Sequence, residues 1–473
     1  MHHPHRPHVS PGRTLPTSRR SVLRTGAALT GAGALAPALA ACSDPASATT
    51  GPLDFWQWYA PQSGGGYAVG KQNQWFAKLL KDWQRQSGTD LDLTYIPVSQ
   101  YTEGTQLQAA FSADQAPDLF IISPGDFLRY YDGGVLYDLT DELGDQANDF
   151  YASALSTRTV DGRVYALPME NEPLAMFYGV DAFEKAGLSE GDLPTTWDQL
   201  LSVADKLRTR RQYGLMLETN PNVYQVFCWY PFLWQAGGEV TEGTRSAFDS
   251  TAAVKALRLW HDAVREGVAP RTTQGGGGGD LVANLASGYT AMQQMTIPGS
   301  AFLDEGAKGF RYGMFPLPVP EPGAKPLTCM GGWAICVNKK SPRAKLAAQF
   351  AVWAVAGSDS RSRMVDWAFD AKKTLPARRS VMEQAISDGR LADDKVMKFA
   401  AYDVVGLPKS DPGSATTPLG RGEPRFPPEV AKAVMDALQA VMLSGTDPRT
   451  AAGRASDQID SALTGYRGAP MGS

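Results

Sequence analysis

Two carboxylates two residues apart offer the clearest chemistry in this sequence: Glu170 and Glu172, in the stretch MENEPLAMFYG. In an extended segment, side chains two positions apart face the same way. An ionised carboxylate accepts several hydrogen bonds, so the pair could bind the hydroxyl groups of a sugar. The same two residues, or either with Asp126, could instead be the acid pair of a glycosidase, which requires a raised pKa on one member. Nothing in the sequence supplies that asymmetry.

Aromatic side chains are the second requirement of a sugar site, because a sugar ring presents an apolar C–H face as well as hydroxyl groups. Trp56 and Tyr59 stand at the end of a predicted strand, before a Gly-rich loop. Ser123 and Asp126 follow the apolar run LFIIS. Open α/β sheets bind ligands where such strands end. We therefore expect these four residues at a cleft, with core packing as the alternative for the two aromatic residues.

The histidine and cysteine counts exclude several other kinds of site. Four of the five His residues stand at positions 2, 3, 5 and 8, and His261 lies in an amphipathic helical pattern. A zinc site built on several His side chains is therefore excluded, and we predict no metal and no cofactor. Beyond Cys42 there are three thiols and no CxxC motif. We predict three buried free thiols, with a Cys329–Cys336 disulfide as the alternative.

The N-terminal stretch from Ser18 to Cys42, SRRSVLRTGAALTGAGALAPALAAC, has the order of an export signal: basic, apolar, then small residues. Its arginine pair is similar to that of twin-arginine signals, and Leu-Ala-Ala-Cys is similar to a bacterial lipobox. We predict a twin-arginine-type lipoprotein signal peptide over 1–41, lipidation of Cys42, and a lipid-anchored linker over 42–52. The alternative is a signal peptide followed by a chance cysteine.

Length and charge limit what the remaining chain can be. Removing residues 1–41 from 473 leaves 432, which favours two domains. The removed segment contains five Arg and no acid, so the net charge falls from −4 to −9. Acidic and basic residues are interspersed without a basic stripe, so a nucleic-acid partner is not expected. No run of eighteen apolar residues follows Cys42, and no membrane-spanning helix is predicted there.

Strand and helix patterns alternate along the first part of the chain. Strands are predicted in LDFWQWYAP, LDLTYI and APDLFIIS, and helices over 74–86 and 105–113. This order opens a doubly wound α/β lobe. Helices are also predicted after a capping box of Thr196 and Gln199, after Asp249 or Ser250 with a stop at Gly267, after Ser341, and twice between residues 427 and 463.

The joint order of several segments resembles the extracellular solute-binding proteins of ABC importers, family 1, the group that includes maltose-binding protein. The segments are FWQWYAP, APDLFIISPGDF, DGRVYALPMENEPLAMFYG, FEKAGLSEGDLPTTWDQL, FLWQAGGEV, SGYTAM, GGWAICVNKKSPRAKLAAQFAVW and TLPAR. The resemblance implies two doubly wound α/β lobes joined by a hinge of two or three crossing strands, with the ligand cleft between them. We expect lobe 1 over 53–168 and 312–370, and lobe 2 over 169–311 and 371–473.

The resemblance also implies cleft positions for particular residues. Glu172 falls where a sugar-binding acid often occurs in the family, and GGW places Gly332 and Trp333 at the cleft. Trp333 is the leading candidate for stacking on a sugar, with core packing as its alternative. The other implied candidates are Gln293, after the segment SGYTAM; Arg425, in the loop before the last helices; and Trp229 and Trp234, which flank Pro231 and of which at least one is expected to pack.

The sequence therefore predicts a sugar-binding lipoprotein of an ABC transporter, not an enzyme. Its expected partners are a small carbohydrate, the permease subunits, and the membrane through the lipid on Cys42. We expect a monomer at the extracellular face of the cytoplasmic membrane. A binding protein for a polyamine or a peptide is the main alternative; a glycoside hydrolase and a purely structural lipoprotein are the others.

Overall fold

The computed structural model describes residues 51–59, 70–277, 279–405 and 420–472. The predicted signal peptide, Cys42 and most of the linker lie outside these ranges. No helix in the described ranges is long and apolar enough to cross a membrane.

Sixteen strands form within the described ranges, most of them short. In chain order they are β1 (Leu53–Gln57), β2 (Leu91–Tyr95), β3 (Leu119–Ile122), β4 (Thr159–Val160), β5 (Arg163–Val164), β6 (Leu167–Pro168), β7 (Glu170–Gly179), β8 (Tyr213–Met216), β9 (Thr241–Glu242), β10 (Arg245–Ser246), β11 (Thr290–Thr296), β12 (Tyr312–Phe315), β13 (Thr328–Gly331), β14 (Ala334–Val337), β15 (Leu375–Pro376) and β16 (Gly420–Gly422). The three strands predicted at the start of the chain are confirmed as β1, β2 and β3.

The first sheet has the strand order β2-β1-β3-β14-β6. β1 pairs in parallel with both β2 and β3, whereas β14 is antiparallel to β3 and β6. All four residues of β3 are buried, as expected for a parallel strand covered on both faces. Asp118 fixes the start of β3, because its carboxylate accepts hydrogen bonds from the Asp54 backbone N–H and from the Ser341 hydroxyl.

The second sheet is built around β7, which is ten residues long and buried throughout. Its main order is β16-β13-β7-β11-β8, and β12 and β15 also pair with β7. The chain passes from the first sheet to the second between β6 and β7, and returns between β13 and β14. These two passages lie side by side, since the Met169 N–H donates to the Trp333 carbonyl over 2.9 Å. The predicted crossing strands are therefore present.

Helices cover both sheets. Within the described ranges they are α1 (Gly70–Ser87), α2 (Val98–Glu103), α3 (Thr105–Ser112), α4 (Phe127–Asp132), α5 (Thr140–Leu143), α6 (Ala152–Leu155), α7 (Val180–Lys185), α8 (Trp197–Leu207), α9 (Val223–Gln235), α10 (Thr251–Arg265), α11 (Gly299–Gly306), α12 (Ala344–Val355), α13 (Arg361–Val365), α14 (Arg379–Ser387), α15 (Arg390–Asp393), α16 (Lys395–Phe399), α17 (Pro428–Leu443) and α18 (Pro448–Leu463). The capping box of Thr196 and Gln199 is confirmed, and Ser250 rather than Asp249 caps α10.

Two large apolar cores lie against the two sheets. The first contains Phe55, Leu119 and Ile335, and the second contains Leu174, Met292 and Cys329. The predicted fold class, two α/β lobes, is confirmed by this arrangement and by the solved structures described below. The three described thiols, Cys228, Cys329 and Cys336, are buried and free, as predicted.

Strand pairing and core packing cross the expected lobe boundaries in two stretches of the chain. The strands β12 and β13, which were expected in lobe 1, pair with β7 in the second sheet. The helix α14, which was expected in lobe 2, packs Val381, Met382 and Ala385 in the first core.

Candidate binding site

The two passages between the sheets bring Glu170 and Trp333 together. Glu170 is fully buried, and its carboxylate accepts hydrogen bonds from the Tyr59 hydroxyl at 2.7 Å and the Trp333 backbone N–H at 3.0 Å on Oε1, and from Trp367 Nε1 at 2.7 Å on Oε2. These three donors are uncharged. The Glu170 carboxylate therefore connects the end of β1, the passage from β13 to β14, and the segment Asp366–Lys372 that contains Trp367.

Glu172 lies two residues further along β7 and remains 7% exposed. Its Oε1 is 3.1 Å from the Nζ atom of Lys372, whose side chain is 2% exposed. The Lys372 ammonium group also lies 4.4 Å from the ring centroid of Trp58 and 4.7 Å from that of Tyr59. We call Trp58, Tyr59 and Glu172 the ammonium cage, since these three side chains surround the Lys372 cation.

Trp333 borders this cage and is partly exposed. Its ring centroid is 5.5 Å from that of Trp58 and 5.8 Å from that of Tyr101, both with edge-to-face geometry. The Trp58 ring is also partly exposed. Gly332 precedes Trp333 with a φ of +123°, and a β-carbon there would lie 2.2 Å from the Glu170 carbonyl oxygen. The close approach that requires this glycine is therefore to backbone.

A second acidic group joins the two sheets close to the first. Asp126 lies in the turn Pro124–Asp126 after β3, and Glu423 follows β16 of the second sheet. A β-carbon on Gly125 would lie only 2.4 Å from Glu423 Oε1, so the carboxylate rests against that turn. Arg129 lies 3.5 Å from Asp126, and Arg158 donates to the Gly332 carbonyl. Ser123 is half-buried at the start of the same turn.

Burial shifts the ionisation of these groups. Burial and the neighbouring Glu172 carboxylate raise the pKa of Glu170 to about 7, against the opposing effects of Lys372 and the donated hydrogen bonds. Burial and the Asp126 carboxylate raise the pKa of Glu423 to about 8. Burial also lowers the pKa of the Arg158 guanidinium to about 10. At neutral pH some of the carboxyl groups in the site are therefore protonated and uncharged.

Several other predicted residues lie elsewhere. Trp229 is fully buried in the second core against Phe248, which confirms that one of the two tryptophans near Pro231 packs. Trp56 packs against the first core and donates to Asp54 Oδ2 over 2.8 Å. Gln293 is fully buried in β11, where it pairs with Phe177 of β7 inside the second sheet.

Trp234 and Arg425 also make contacts away from the ammonium cage. Trp234 is 5% exposed at the end of α9, stacks on Tyr230, and lies under the Arg421 guanidinium at 4.3 Å. Arg425 donates to the carbonyls of Thr159 at 2.6 Å and Pro470 at 2.8 Å. Its guanidinium thus fastens the C-terminal segment to the strand β4.

Sequence analysis missed Lys372, Trp58, Glu423 and Arg158. Trp58 stands between two residues that were predicted, but the exact end of β1 could not be located from its pattern. Lys372 and Lys373 resemble a solvated pair, yet their side chains are 2% and 24% exposed. A usable signal was the position of Lys372 just before TLPAR, one of the segments that carried the resemblance.

Residues 67–356, more than half of the chain, match the sequence profile of the bacterial extracellular solute-binding proteins. The chain belongs to this family, and its predicted relationship to the solute-binding proteins of ABC importers is confirmed. Family membership also supports the prediction that the protein binds its ligand without catalysing a reaction. Among the described residues, no group of three or more His, Cys, Asp or Glu side chains is arranged to hold a metal ion.

Curated relatives are distant. A putative binding protein of Brucella abortus (strain 2308) is 26% identical over 262 residues, which are 54% of this chain and 62% of the relative. The arabinooligosaccharide-binding protein of Bacillus subtilis (strain 168) is 22% identical over 306 residues, which are 62% of this chain and 69% of the relative. The chain thus spans about two thirds or less of the length of these curated relatives.

Solved structures match over a larger part of the chain. One is an ABC transporter solute-binding protein from Thermotoga lettingae TMO, bound with α-D-tagatose. It matches with a TM-score of 0.69 at 22% identity, and the match covers 88% of this chain and 100% of that protein's chain. UgpB from Mycobacterium tuberculosis, in complex with glycerophosphocholine, has a TM-score of 0.69 at 18% identity, with coverages of 88% and 99%. These likenesses establish the fold.

Proposed function

We propose that this protein captures a carbohydrate between its two lobes and delivers it to the permease of an ABC transporter. The family match supports the binding and transport role. The carbohydrate is supported by the types of side chain at the junction of the two sheets, and by the sugar-bound and sugar-named relatives of this family. In this proposal the protein releases its ligand unchanged.

The observation that carries the proposal is a pair of partly exposed aromatic side chains near a carboxylate. The ring centroids of Trp58 and Trp333 are 5.5 Å apart, and Glu172 pairs with the Lys372 ammonium group that lies over the Trp58 ring. The indole N–H of Trp58 is buried and has no hydrogen-bond partner among the described residues. Flat rings fit the C–H face of a sugar, and the N–H donor and the carboxylate fit its hydroxyl groups.

The proposal extends to how the lobes act. Strand ends of two facing sheets bury both faces of a ligand, and closure about the crossing segments turns this burial into a change of shape. Ser123 and Asp126 lie on one side of the junction, and Glu423 on the other side rests against the turn Pro124–Asp126. We infer that the closed monomer docks on the permease, and that a lipid on Cys42 holds it at the outer face of the membrane.

A cationic solute is the second candidate, and the acidic residues favour it. Asp126, Glu170, Glu172 and Glu423 are all buried near the junction. A polyamine or another amine could neutralise such a group. We prefer the carbohydrate because the raised pKa values of Glu170 and Glu423 reduce the negative charge, and because Lys372 already supplies an ammonium group at this place.

The proposal is tested by titrating the purified protein with mono- and oligosaccharides, spermidine and short peptides, using calorimetry. A carbohydrate should bind, and the Trp333→Ala variant should bind it at least ~10-fold more weakly, because the stacking surface is lost, a loss of about 1.4 kcal/mol or more. The variant should remain folded, since Trp333 is partly exposed.

Trp353→Ala is the matched control, because Trp353 is also partly buried but lies on α12, where it contacts Trp83 and Arg363. This variant should lose stability and keep its affinity. Unchanged affinity in Trp333→Ala would contradict the placement of the ligand. Binding of spermidine or a peptide, with no carbohydrate bound, would contradict the proposed ligand class.

A further inference from the structure

The ammonium cage has the composition of a site that recognises a cation, and its occupant belongs to the chain itself. The Lys372 Nζ atom lies within 5 Å of two aromatic ring centroids, at 4.4 Å and 4.7 Å, and 3.1 Å from a carboxylate oxygen. Cation–π attraction acts within about 6 Å of a ring centroid, and it strengthens when the pair is withdrawn from water. A ligand amine would be recognised by the same three groups.

The charge balance of the neighbourhood depends on this lysine. Glu170 receives hydrogen bonds from Tyr59, Trp333 and Trp367, which carry no charge. The nearby Glu172 carboxylate disfavours ionisation of Glu170 and so raises its pKa, and the Lys372 cation opposes this effect. Removing one partner of a buried ion pair leaves an uncompensated charge, which is strongly unfavourable. A cage without Lys372 would therefore attract another cation.

We propose that Lys372 determines the charge selectivity of the binding site, because its ammonium group occupies a cation subsite and so excludes ligands that carry an amine. This inference rests on the proposed function, since it explains how an acidic, aromatic site takes an uncharged polyhydroxylated solute. With Lys372 over the Trp58 ring, the partly exposed side chain of Trp333 is left for the C–H face of a sugar. The native protein then discriminates against amino sugars and polyamines.

The position of Lys372 makes the test specific. It ends the π-helical segment Asp366–Lys372, and the next residue, Lys373, pairs instead with Asp304 at 2.9 Å. Lys372→Ala empties the space of the side chain, whereas Lys372→Met removes the charge and fills the space. Lys372→Arg keeps a positive charge. Lys373→Ala removes a neighbouring lysine that does not contact the cage.

The experiment measures the melting temperature of the wild-type protein and these four variants in propylammonium chloride and in sodium chloride of equal ionic strength. Propylammonium should raise the melting temperature of Lys372→Ala by at least ~2 °C over sodium, because a ligand that binds only the folded state stabilises it. The other proteins should show no difference between the two salts. If Lys372→Ala unfolds during purification, refolding in propylammonium but not in sodium chloride is the expected result.

Failure of this inference and failure of the proposed function give different results. If Lys372→Ala responds equally to both salts, or refolds in neither, the cage is not a cation subsite, whatever carbohydrate the wild-type protein binds. A wild-type protein that responds to propylammonium also overturns the inference. If Lys372→Ala is rescued but the wild-type protein binds no carbohydrate, the proposed ligand class is wrong and the cation subsite stands.

Discussion

Four carboxylic acids lie where the two sheets meet, and each has different surroundings. Glu170 is held by three uncharged donors, Glu172 by the Lys372 cation, and Asp126 lies near Arg129. Glu423 is buried against Gly125, near Asp126 and Arg158. Its burial and the neighbouring Asp126 carboxylate both raise its pKa, so pH should affect the protein through this residue.

The raised pKa of Glu423 predicts that stability falls as pH rises. Between its ordinary pKa of 4.5 and its folded value of about 8, the folded state keeps a proton that the unfolded state releases. The free energy of unfolding therefore decreases with pH in this window, by up to ~1.4 kcal/mol per pH unit for one proton. Glu423→Gln cannot ionise, so its stability relative to wild type should be greater at pH 8.5 than at pH 5.

Urea denaturation at pH 5, 7 and 8.5 measures this effect. Glu429→Gln is the matched control, because Glu429 is exposed in the first turn of α17. Its stability difference from wild type should not change over this range. If the Glu423→Gln and wild-type profiles run parallel from pH 5 to pH 8.5, Glu423 is ionised throughout, and the burial argument fails.

Residue types alone predicted part of the site. Glu170, Glu172, Gly332, Trp333 and Tyr59 come together in the structure, because all belong to segments where a strand ends or the chain changes sheet. The same reasoning could not separate Trp333 from Trp229. Both were predicted because they are aromatic residues close to glycine or proline, but Trp229 faces the second core from α9 and is fully buried. Whether a helical tryptophan faces the core or a cleft depends on how the helix packs in the fold, and the local sequence does not specify this.

At the scale of elements, the two passages between the sheets hold the site in place. β6 continues into β7, and β13 continues into β14, and the two passages run antiparallel. Only a residue without a β-carbon fits between them at position 332, where a β-carbon would lie 2.2 Å from the Glu170 carbonyl. This close contact sets the backbone from which Trp333 projects.

Gly332→Ala should therefore destabilise the protein by at least ~2 kcal/mol, because the backbone must move and φ is +123°. The midpoint of urea denaturation measures this loss. Gly453→Ala is the matched control, since Gly453 lies within α18 with no atom near the added carbon. It should be neutral or stabilising by up to ~1 kcal/mol. A wild-type midpoint for Gly332→Ala would show that the passages are not rigidly packed.

Element identity was predictable where local signals agreed. The strands β1 to β3 and the helices α8, α10, α17 and α18 follow from periodicity and capping residues. The helix predicted to start after Ser341 begins instead at Ala344. The reason is tertiary, because the Ser341 hydroxyl is engaged by Asp118 and by the backbone N–H of Arg343. A cap that binds a distant carboxylate cannot be distinguished from a true cap in the sequence.

At the scale of the whole molecule, the C-terminal segment adds a connection that the sequence did not predict. After α18, which packs in the second core, the Tyr466 hydroxyl reaches Asp132 Oδ2 of α4 over 2.9 Å. Arg425 binds the carbonyl of Pro470, and its backbone pairs with Gly472. The chain thus returns to the helix beside the first sheet.

A lipid tether on Cys42 would set where the protein works. Arg343, at the start of α12, donates to the carbonyls of Gly51 at 2.8 Å and Pro52 at 2.6 Å. Residues 43–50 lie between Cys42 and Gly51, and a chain of this length can reach at most roughly 30 Å. A lipid on Cys42 would keep Gly51 within that distance of the membrane and so raise the local concentration of the protein at a permease.

Cys42→Ser should therefore release the protein from the membrane fraction of cells that express the full chain, because serine offers no thiol for a thioether-linked lipid. Its affinity for the ligand should be unchanged, since Cys42 is not among the residues proposed to bind it. Ser43→Ala is the control and should stay with the membranes. A Cys42→Ser protein that sediments with membranes as completely as Ser43→Ala would mean that another segment anchors the chain, and that proximity to the permease does not depend on this cysteine.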